Sequence, residues 1–458
     1  MLQRIEEAVW GLPMIVLVLL CGVCLTVRTR GVQLRRLGEA LRLLRADGSG
    51  GGGEVSAFGA LCTALSATIG TGNIIGTAMA VTAGGPGALF WMVAAALLGM
   101  AVKYAECLLA VRYRLRDADG PHGGPFLVIE RGMGRRFRPL AKAFALCGTL
   151  AGFLGIGTMT QTGGIVQAAS AVVDPAGTHG TLVAAVVGGI VTVLAGAVLL
   201  GGIRRIAAVS EVVVPFMAGA YLLLIAAILV RSAAALPGAV RLIVRSAFAP
   251  RAVLGAGSGI GLSLAVRTGV ERGIFSNESG LGSAPIAAAA AHGDDAVRQG
   301  LIAMTGTFFD TVVLCSLTGL AFVVTDAWRL TGLDGTAVAR AAFADGLPLP
   351  ETVSAALLAL CLAFFAFTTI VGWQYYAEQC LLYLCGSRRI ARAARWVYLL
   401  FVLAGAFVPI GAVWHIAGIA NGLMAFPNML ALLWLSPEVG QLTRAAEREN
   451  PTRRRPHR

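Results

Sequence analysis

Long apolar runs separated by short, mostly basic segments organise this chain. A helix needs about 20 mostly apolar residues to cross the hydrocarbon core of a bilayer. Eleven runs meet or approach that length: 10–27, 58–82, 88–111, 140–173, 181–200, 207–230, 252–290, 300–324, 351–384, 396–412 and 414–436. Runs 140–173, 252–290 and 351–384 exceed one straight span and call for tilt, a break or extension beyond the bilayer. The segment before the first run carries Arg4, Glu6 and Glu7 and is net negative, unlike the basic start of a secretory signal, so this run reads as a span.

Two runs are not plain hydrophobic helices. Ser66-Ala67-Thr68-Ile69-Gly70-Thr71-Gly72-Asn73 interrupts run 58–82, and Gly273 to Pro285, with Asn277, Glu278, Gly280 and Gly282, interrupts run 252–290. Glycine costs a helix interior roughly 1 kcal/mol per residue. Backbone that leaves the helix in lipid strands polar groups at several kcal/mol each unless a ligand, an ion or water meets them. Setting the first run aside leaves ten, and the breaks fall in the first and the sixth. Those are equivalent positions in two halves of five, and an odd repeat length inserts the second half upside down, the layout of an inverted-repeat secondary transporter. The competing reading of each break is a small-residue face where two helices pack closely. The organisation expected is an N-terminal span and basic linker (1–57), a first five-helix repeat (58–230), an inverted second repeat (252–436) and a basic tail (437–458).

Composition supports a membrane protein. Apolar residues make up 57%, charged residues 13%, and the mean hydropathy is +0.77. A soluble protein carries about a quarter charged residues. The excess of 37 Lys+Arg over 24 Asp+Glu, net +13, at first suggests nucleic acid. Placed on the spans with the N-terminus outside, 26 of the 37 fall in cytoplasmic segments and 7 outside. The bias therefore records topology, N-out and C-in, and no nucleic-acid partner is implied. Nine scattered cysteines read as small buried hydrophobes, and five well-separated histidines form no metal cluster. No catalytic triad, P-loop or dinucleotide fingerprint is present, so no enzyme and no cofactor is expected; the Gly50–Gly53 run reads as a linker.

The segment SATIGTGNIIGTAMAVTAGGPGALFWM (66–92) resembles the signature of the alanine or glycine:cation symporter family. GGPFLVIERGMG (123–134), GVERGIFSNESGLGSAPIAAAAA (269–291), FAFTTIVGWQYYAEQC (365–380) and NGLMAFPNMLAL (421–432) agree with it. Ser279, and the small stretch Thr162-Gly163-Gly164, depart from the family's usual residues. The resemblance implies an all-α integral membrane protein of about 11 transmembrane helices: one extra N-terminal helix plus a 5+5 inverted-repeat core similar to the bacterial leucine transporter. It implies sodium-coupled import of alanine or glycine by alternating access across a bacterial inner membrane, with sodium as coupling ion. The alternatives are a sodium- or proton-coupled carrier for another small solute, or a channel. Oligomeric state stays open.

For a zwitterion, the resemblance assigns the carboxylate to amides of Thr71 and Gly72, and the ammonium to acceptors around Phe275, Ser276 and Asn277. Gln161 is placed at the substrate, against the alternative of a helix–helix hydrogen bond. Trp373 follows Thr369 by four residues on one helical face and would close a small pocket, against the alternative of a packing or interfacial indole. The sodium shell implied is the carbonyls of Ser66, Ile69 and Phe365 with the hydroxyls of Thr368 and Thr369, hard oxygens for a hard cation; the alternative for the two threonines is bonding back to their own helix. No lysine occurs in 207–230, which favours sodium over protons. Intramembrane charges are functional suspects. Lys103 and Glu106, three apart, read as a mutual pair; most of Arg267, Glu271, Arg272 and Glu278 as an ion-pair network bracing the second broken helix or its gate; Asp310 as a candidate, not the favoured reading, for a second cation site near Asn73.

Overall fold

A computed structural model describes residues 1–45, 54–117, 120–174, 176–249, 261–330, 332–408 and 410–449. The Gly50–Gly53 linker, the start of run 252–290 and the end of the basic tail lie outside the described residues. Among the described residues the fold is a helical bundle with one two-stranded sheet, Leu115–Asp117 against Gly120–His122.

Eight described helices are long and apolar enough to cross a membrane, and a ninth span is a bent pair, Ala57–Thr68 with Gly72–Gly84, kinked by 56°. Run 252–290 is represented by Leu262–Asn277 and Ala284–Ala289, separated by an irregular stretch, and run 396–412 by Arg388–Ala404. Of the three ways open to run 140–173, it takes a break, between Arg138–Leu154 and Met159–Val173. In contrast, Glu351–Cys385 runs as one helix of 35 residues. At 1.5 Å per residue this is about 50 Å, well beyond the hydrocarbon thickness.

The bundle buries a centre and leaves an apolar rim. Gly87–Tyr113 packs on Ala296–Thr307, Leu262–Asn277 and Ala284–Ala289, and its second half is buried almost without interruption. Outer helices expose Val186, Ile190, Val193 and Leu194, and Val212, Phe216, Leu223 and Val230. Such contiguous apolar surface is unusual on a soluble monomer and suits lipid. All nine cysteines are free.

A buried arginine pins the end of the second broken helix. The Arg114 guanidinium donates to the carbonyls of Ala289 (3.0 Å), Ala291 (2.8 Å) and Gly293, and to Asp294 (2.8 Å). Outside the spans, Arg114 and Arg116 hold the Asp294 carboxyl below its ordinary value.

Candidate functional site

The first helix breaks where side chains, one of its own and one from a neighbouring helix, take over its hydrogen bonds. In a continuous helix the amides of Gly70 and Thr71 would bond to the carbonyls of Ser66 and Ala67. Instead Gly70 N–H donates to Asn73 Oδ1 (2.9 Å) and Thr71 N–H reaches Gln161 Oε1 (3.5 Å). The chain turns at Ile69 (ψ 90°) and resumes as a π-turn over Gly72–Gly76, a geometry that frequently marks functional sites. The carbonyls at the end of Ala57–Thr68 are thereby released from their helical partners.

The second break repeats the device. Asn277 Oδ1 accepts the Ser279 amide (2.9 Å), which a regular helix would have given to the Phe275 carbonyl. Glu278 follows in the left-handed region (φ 55°), then Gly280 and Gly282 at φ 90° and 82°. An asparagine thus uncaps the helix at each break.

Asp310 joins the two breaks. It sits in a π-turn, Phe308–Cys315, and is fully buried. Its Oδ1 accepts from Asn73 Nδ2 (2.7 Å), and its Oδ2 from the hydroxyls of Ser276 (2.9 Å) and Thr311 (2.7 Å). Thr311 in turn accepts from Asn277 Nδ2 (3.0 Å). An added Cβ on Gly72 would lie 3.6 Å from Ser276 Cα and 3.5 Å from the Phe275 ring, so the breaks touch there. The sequence marked Asp310 and Asn73 as suspects. It gave no sign that Asp310 spans both breaks, since these partners are 237 and 34 residues away.

Two helices flank this junction. Gln161 Oε1 also accepts from the Thr71 hydroxyl (3.2 Å), and its Nε2 donates to the Ile156 carbonyl (3.1 Å), freed by the break at 155–158. From Glu351–Cys385, Thr369 Oγ1 would sit 2.5 Å from a Cβ on Gly70, and Ser66 Oγ 2.8 Å from one on Gly372. Gly70, not singled out from the sequence, is therefore the contact between the first break and the Thr369 helix. The hydroxyls of Thr368 and Thr369 both donate to the Phe365 carbonyl (3.0 Å each), the local bonding held open above, which leaves their lone pairs unspent. Contacts thus bring Ser66, Thr71, Gln161 and Thr369 to the first break, with Phe275 and Ser276 against Gly72 from the second; Thr368 instead lies against Met217 (3.5 Å), and Asn277 bonds to Thr311 and Ser279.

Trp373 is fully buried, which excludes an interfacial role. Its indole N–H donates to Glu278 Oε1 (2.7 Å). Glu278 is accordingly not part of the charged network expected with Arg267, Glu271 and Arg272; those three pair among themselves at 3.8–3.9 Å, and the carboxylate of Glu278 turns inward to Trp373 and Ser283 (2.5 Å). The expected Lys103–Glu106 pair is also replaced. Lys103 Nζ donates to the Glu278 carbonyl (3.0 Å), and Glu106 accepts from Asn428 Nδ2 (2.5 Å). Both side chains brace the second break, where exposed backbone offers more than a neighbouring carboxylate does.

A cavity of about 570 Å³ approaches the junction, lined among others by Glu6, Ile75, Gln167, Arg272, Asp334 and Trp414. Trp414 meets Phe275 ring to ring at 5.2 Å. Trp414, which lines the cavity, thus stands between it and Phe275.

The model of the sodium:alanine symporter family matches residues 1–457. The chain belongs to this family. It is similar to a sodium/alanine symporter of Methanococcus maripaludis, 41% identical over 97% of this chain and 96% of that protein. An uncharacterized transporter of Haemophilus influenzae is 50% identical over 95% and 93% of the two chains. A probable sodium/glutamine symporter of Bacillus subtilis is 33% identical over 95% and 87%.

Proposed function

We propose that this family member imports alanine or glycine together with sodium by alternating access, in a bacterial inner membrane with the N-terminus outside and the C-terminus in the cytoplasm. The carrying observation is the meeting of two broken helices at Gly72 and Ser276, with Gln161 and Thr369 closing in on the first break. The amides around Thr71 and Gly72 suit a carboxylate. The C-terminal carbonyls near Phe275, Ser276 and Asn277, with the Asp310 carboxylate behind them, suit an ammonium. Trp373 forms the wall against the side chain. Carbonyls of Ser66, Ile69 and Phe365 with Thr368 and Thr369 hydroxyls offer sodium an all-oxygen shell.

In this reading the core is the 5+5 inverted repeat of the leucine-transporter fold, with eleven spans in all, and the 26-to-7 basic split sets its orientation. Sodium and amino acid order the same break, so binding one lowers the cost of binding the other, and the effect is reciprocal. The experiment is alanine uptake into proteoliposomes. An inward sodium gradient should drive it, and Gln161→Ala or Thr369→Ala should weaken it. Uptake driven equally well by a proton gradient without sodium would refute the ion assignment, and non-saturable flux would indicate a channel.

A further inference from the structure

Glu278 carries three costs at once. It is an acidic side chain at 0% exposure in the interior of the bundle, where burying an ionisable group is expensive. It occupies φ 55°, a region disfavoured for residues with a Cβ. It follows a helix end that a glycine would terminate with less strain. Gly280 and Gly282, two and four residues on, show the same segment using glycine where only the backbone conformation matters. Retaining Glu at 278 therefore calls for a task that its side chain performs.

That side chain grips the Trp373 indole. Glu278 Oε1 takes the indole N–H at 2.7 Å, and Ser283 Oγ donates to Oε2 at 2.5 Å, fixing the carboxylate plane. Lys103 anchors the backbone of the same residue through its carbonyl at 3.0 Å. The other end of Trp373 is seated against Gly157, where a methyl would lie 2.8 Å from Trp373 Cβ, and its ring meets Tyr376 edge-on at 5.6 Å. Trp373 is thus held at its root by a glycine, along its ring by Tyr376 and at its tip by Glu278. A lone backbone carbonyl would also satisfy the indole N–H, but the carboxyl group takes the indole with one oxygen while Ser283 holds the other, so the acceptor is fixed in direction as well as present.

We propose that Glu278 is the positioning residue that locks the Trp373 indole as a rigid wall of the side-chain pocket and so sets the upper size limit of the amino acid carried. The inference deepens the transport reading and rests on its placing of Trp373 at the substrate. A free indole would swing to another rotamer and admit larger side chains; a clamped one excludes them.

Two variants separate the clamp from a general structural role. Trp373→Phe keeps an aromatic side chain but a smaller one that lacks the indole N–H. Glu278→Asp keeps the charge and a residue type tolerant of the left-handed region, and withdraws the carboxylate by one methylene. Glycine, alanine, aminobutyrate and valine are tested as competitors of alanine uptake in proteoliposomes. A pocket discriminates one added methylene by about 10–200-fold. Each variant should lower the valine-to-alanine ratio of inhibition constants by about tenfold. Glu278→Asp added to Trp373→Phe should change that ratio by less than about twofold, because both cut the same link. An unchanged ratio in Trp373→Phe overturns the proposal, as does a full second tenfold step in the double variant. A purely structural Glu278 would slow uptake of every solute alike and leave the ratio fixed, which also overturns it. Wild-type protein is scored first: without sodium-driven alanine uptake the transport reading falls, whereas sodium-driven uptake with an unmoved ratio removes this inference alone.

Discussion

Replacing Gly70 by alanine puts a methyl group where Thr369 Oγ1 now sits, 2.5 Å from the new Cβ and about 0.9 Å short of the 3.4 Å at which ordinary contact begins. Gly70 is not among the residues at positive φ, so alanine fits its backbone and only space is lacking. Gln161 Oε1, at 3.5 Å, is in ordinary contact and does not block the methyl. Thr369 must therefore rotate or the break must retreat from its helix. Rotation takes the hydroxyl from its 3.0 Å bond to the Phe365 carbonyl, and either motion separates it from the rest of the proposed cation shell. Contacts of this kind to a charged group are worth about 1.5–3 kcal/mol. Gly70→Ala should accordingly raise the sodium concentration for half-maximal alanine uptake by about 10- to 100-fold. Sodium activation curves at saturating alanine measure this. The double variant Gly70→Ala with Thr369→Ala should be no worse than Thr369→Ala alone, since the obstructing oxygen is then gone. A sodium midpoint moved less than about twofold, or additive effects in the double variant, would refute the reasoning.

Asp310→Asn should abolish sodium-driven uptake, falling below about 1% of wild type, because the two breaks lose the carboxylate that joins them, and each buried hydrogen bond to a charged group is worth about 1.5–3 kcal/mol; purified-protein uptake and a melting curve show whether transport or folding fails. Gln161→Ala removes the acceptor of the Thr71 amide and hydroxyl, and the KM for alanine should rise about tenfold, roughly 1.4 kcal/mol, in initial-rate uptake. Arg114→Lys replaces a fork serving three carbonyls and Asp294 by a single ammonium, and should lower thermal stability in detergent by about 2 kcal/mol without shifting the size preference among competitors. With Arg114 and Arg116 depressing the Asp294 carboxyl, their contribution is present above the unfolded value and fades as pH falls through the folded one, so the stability gap between wild type and Asp294→Asn should close on strong acidification, read by thermal melts across pH.

The all-helical membrane character and both principal breaks were legible because they depend on local composition; of the eleven runs, nine at most stand as candidate spans among the described residues. Gly70, Gly72, Gly280 and Gly282 crowd into otherwise apolar runs, and such runs cannot remain plain helices. The released carbonyls follow from the same local chemistry. What the chain did not disclose depends on distant partners. Asp310 reaches Asn73 across 237 residues, and Asn428 reaches Glu106 across 322. Lys103 and Glu106 stand at a spacing that suits a pair, yet in the bundle unpaired backbone of the second break outbids a neighbouring side chain for the lysine. Glu278 looked like one of four charges near a gate; only its left-handed backbone and its turn inward separate it from Arg267, Glu271 and Arg272. Gly70 was hidden for another reason: glycine shows why it is needed only when the atom it makes room for, Thr369 Oγ1, is in place.

The central claim is that sodium and the amino acid share the break at Ile69–Gly72 and move together. Radioactive sodium influx into proteoliposomes, measured with and without external alanine and with the membrane potential clamped, tests it most directly. The account predicts that alanine stimulates sodium entry, that the stimulated sodium flux scales with alanine uptake across concentrations, and that Gly70→Ala reduces both fluxes together. Alanine entry that leaves sodium influx unchanged would contradict it.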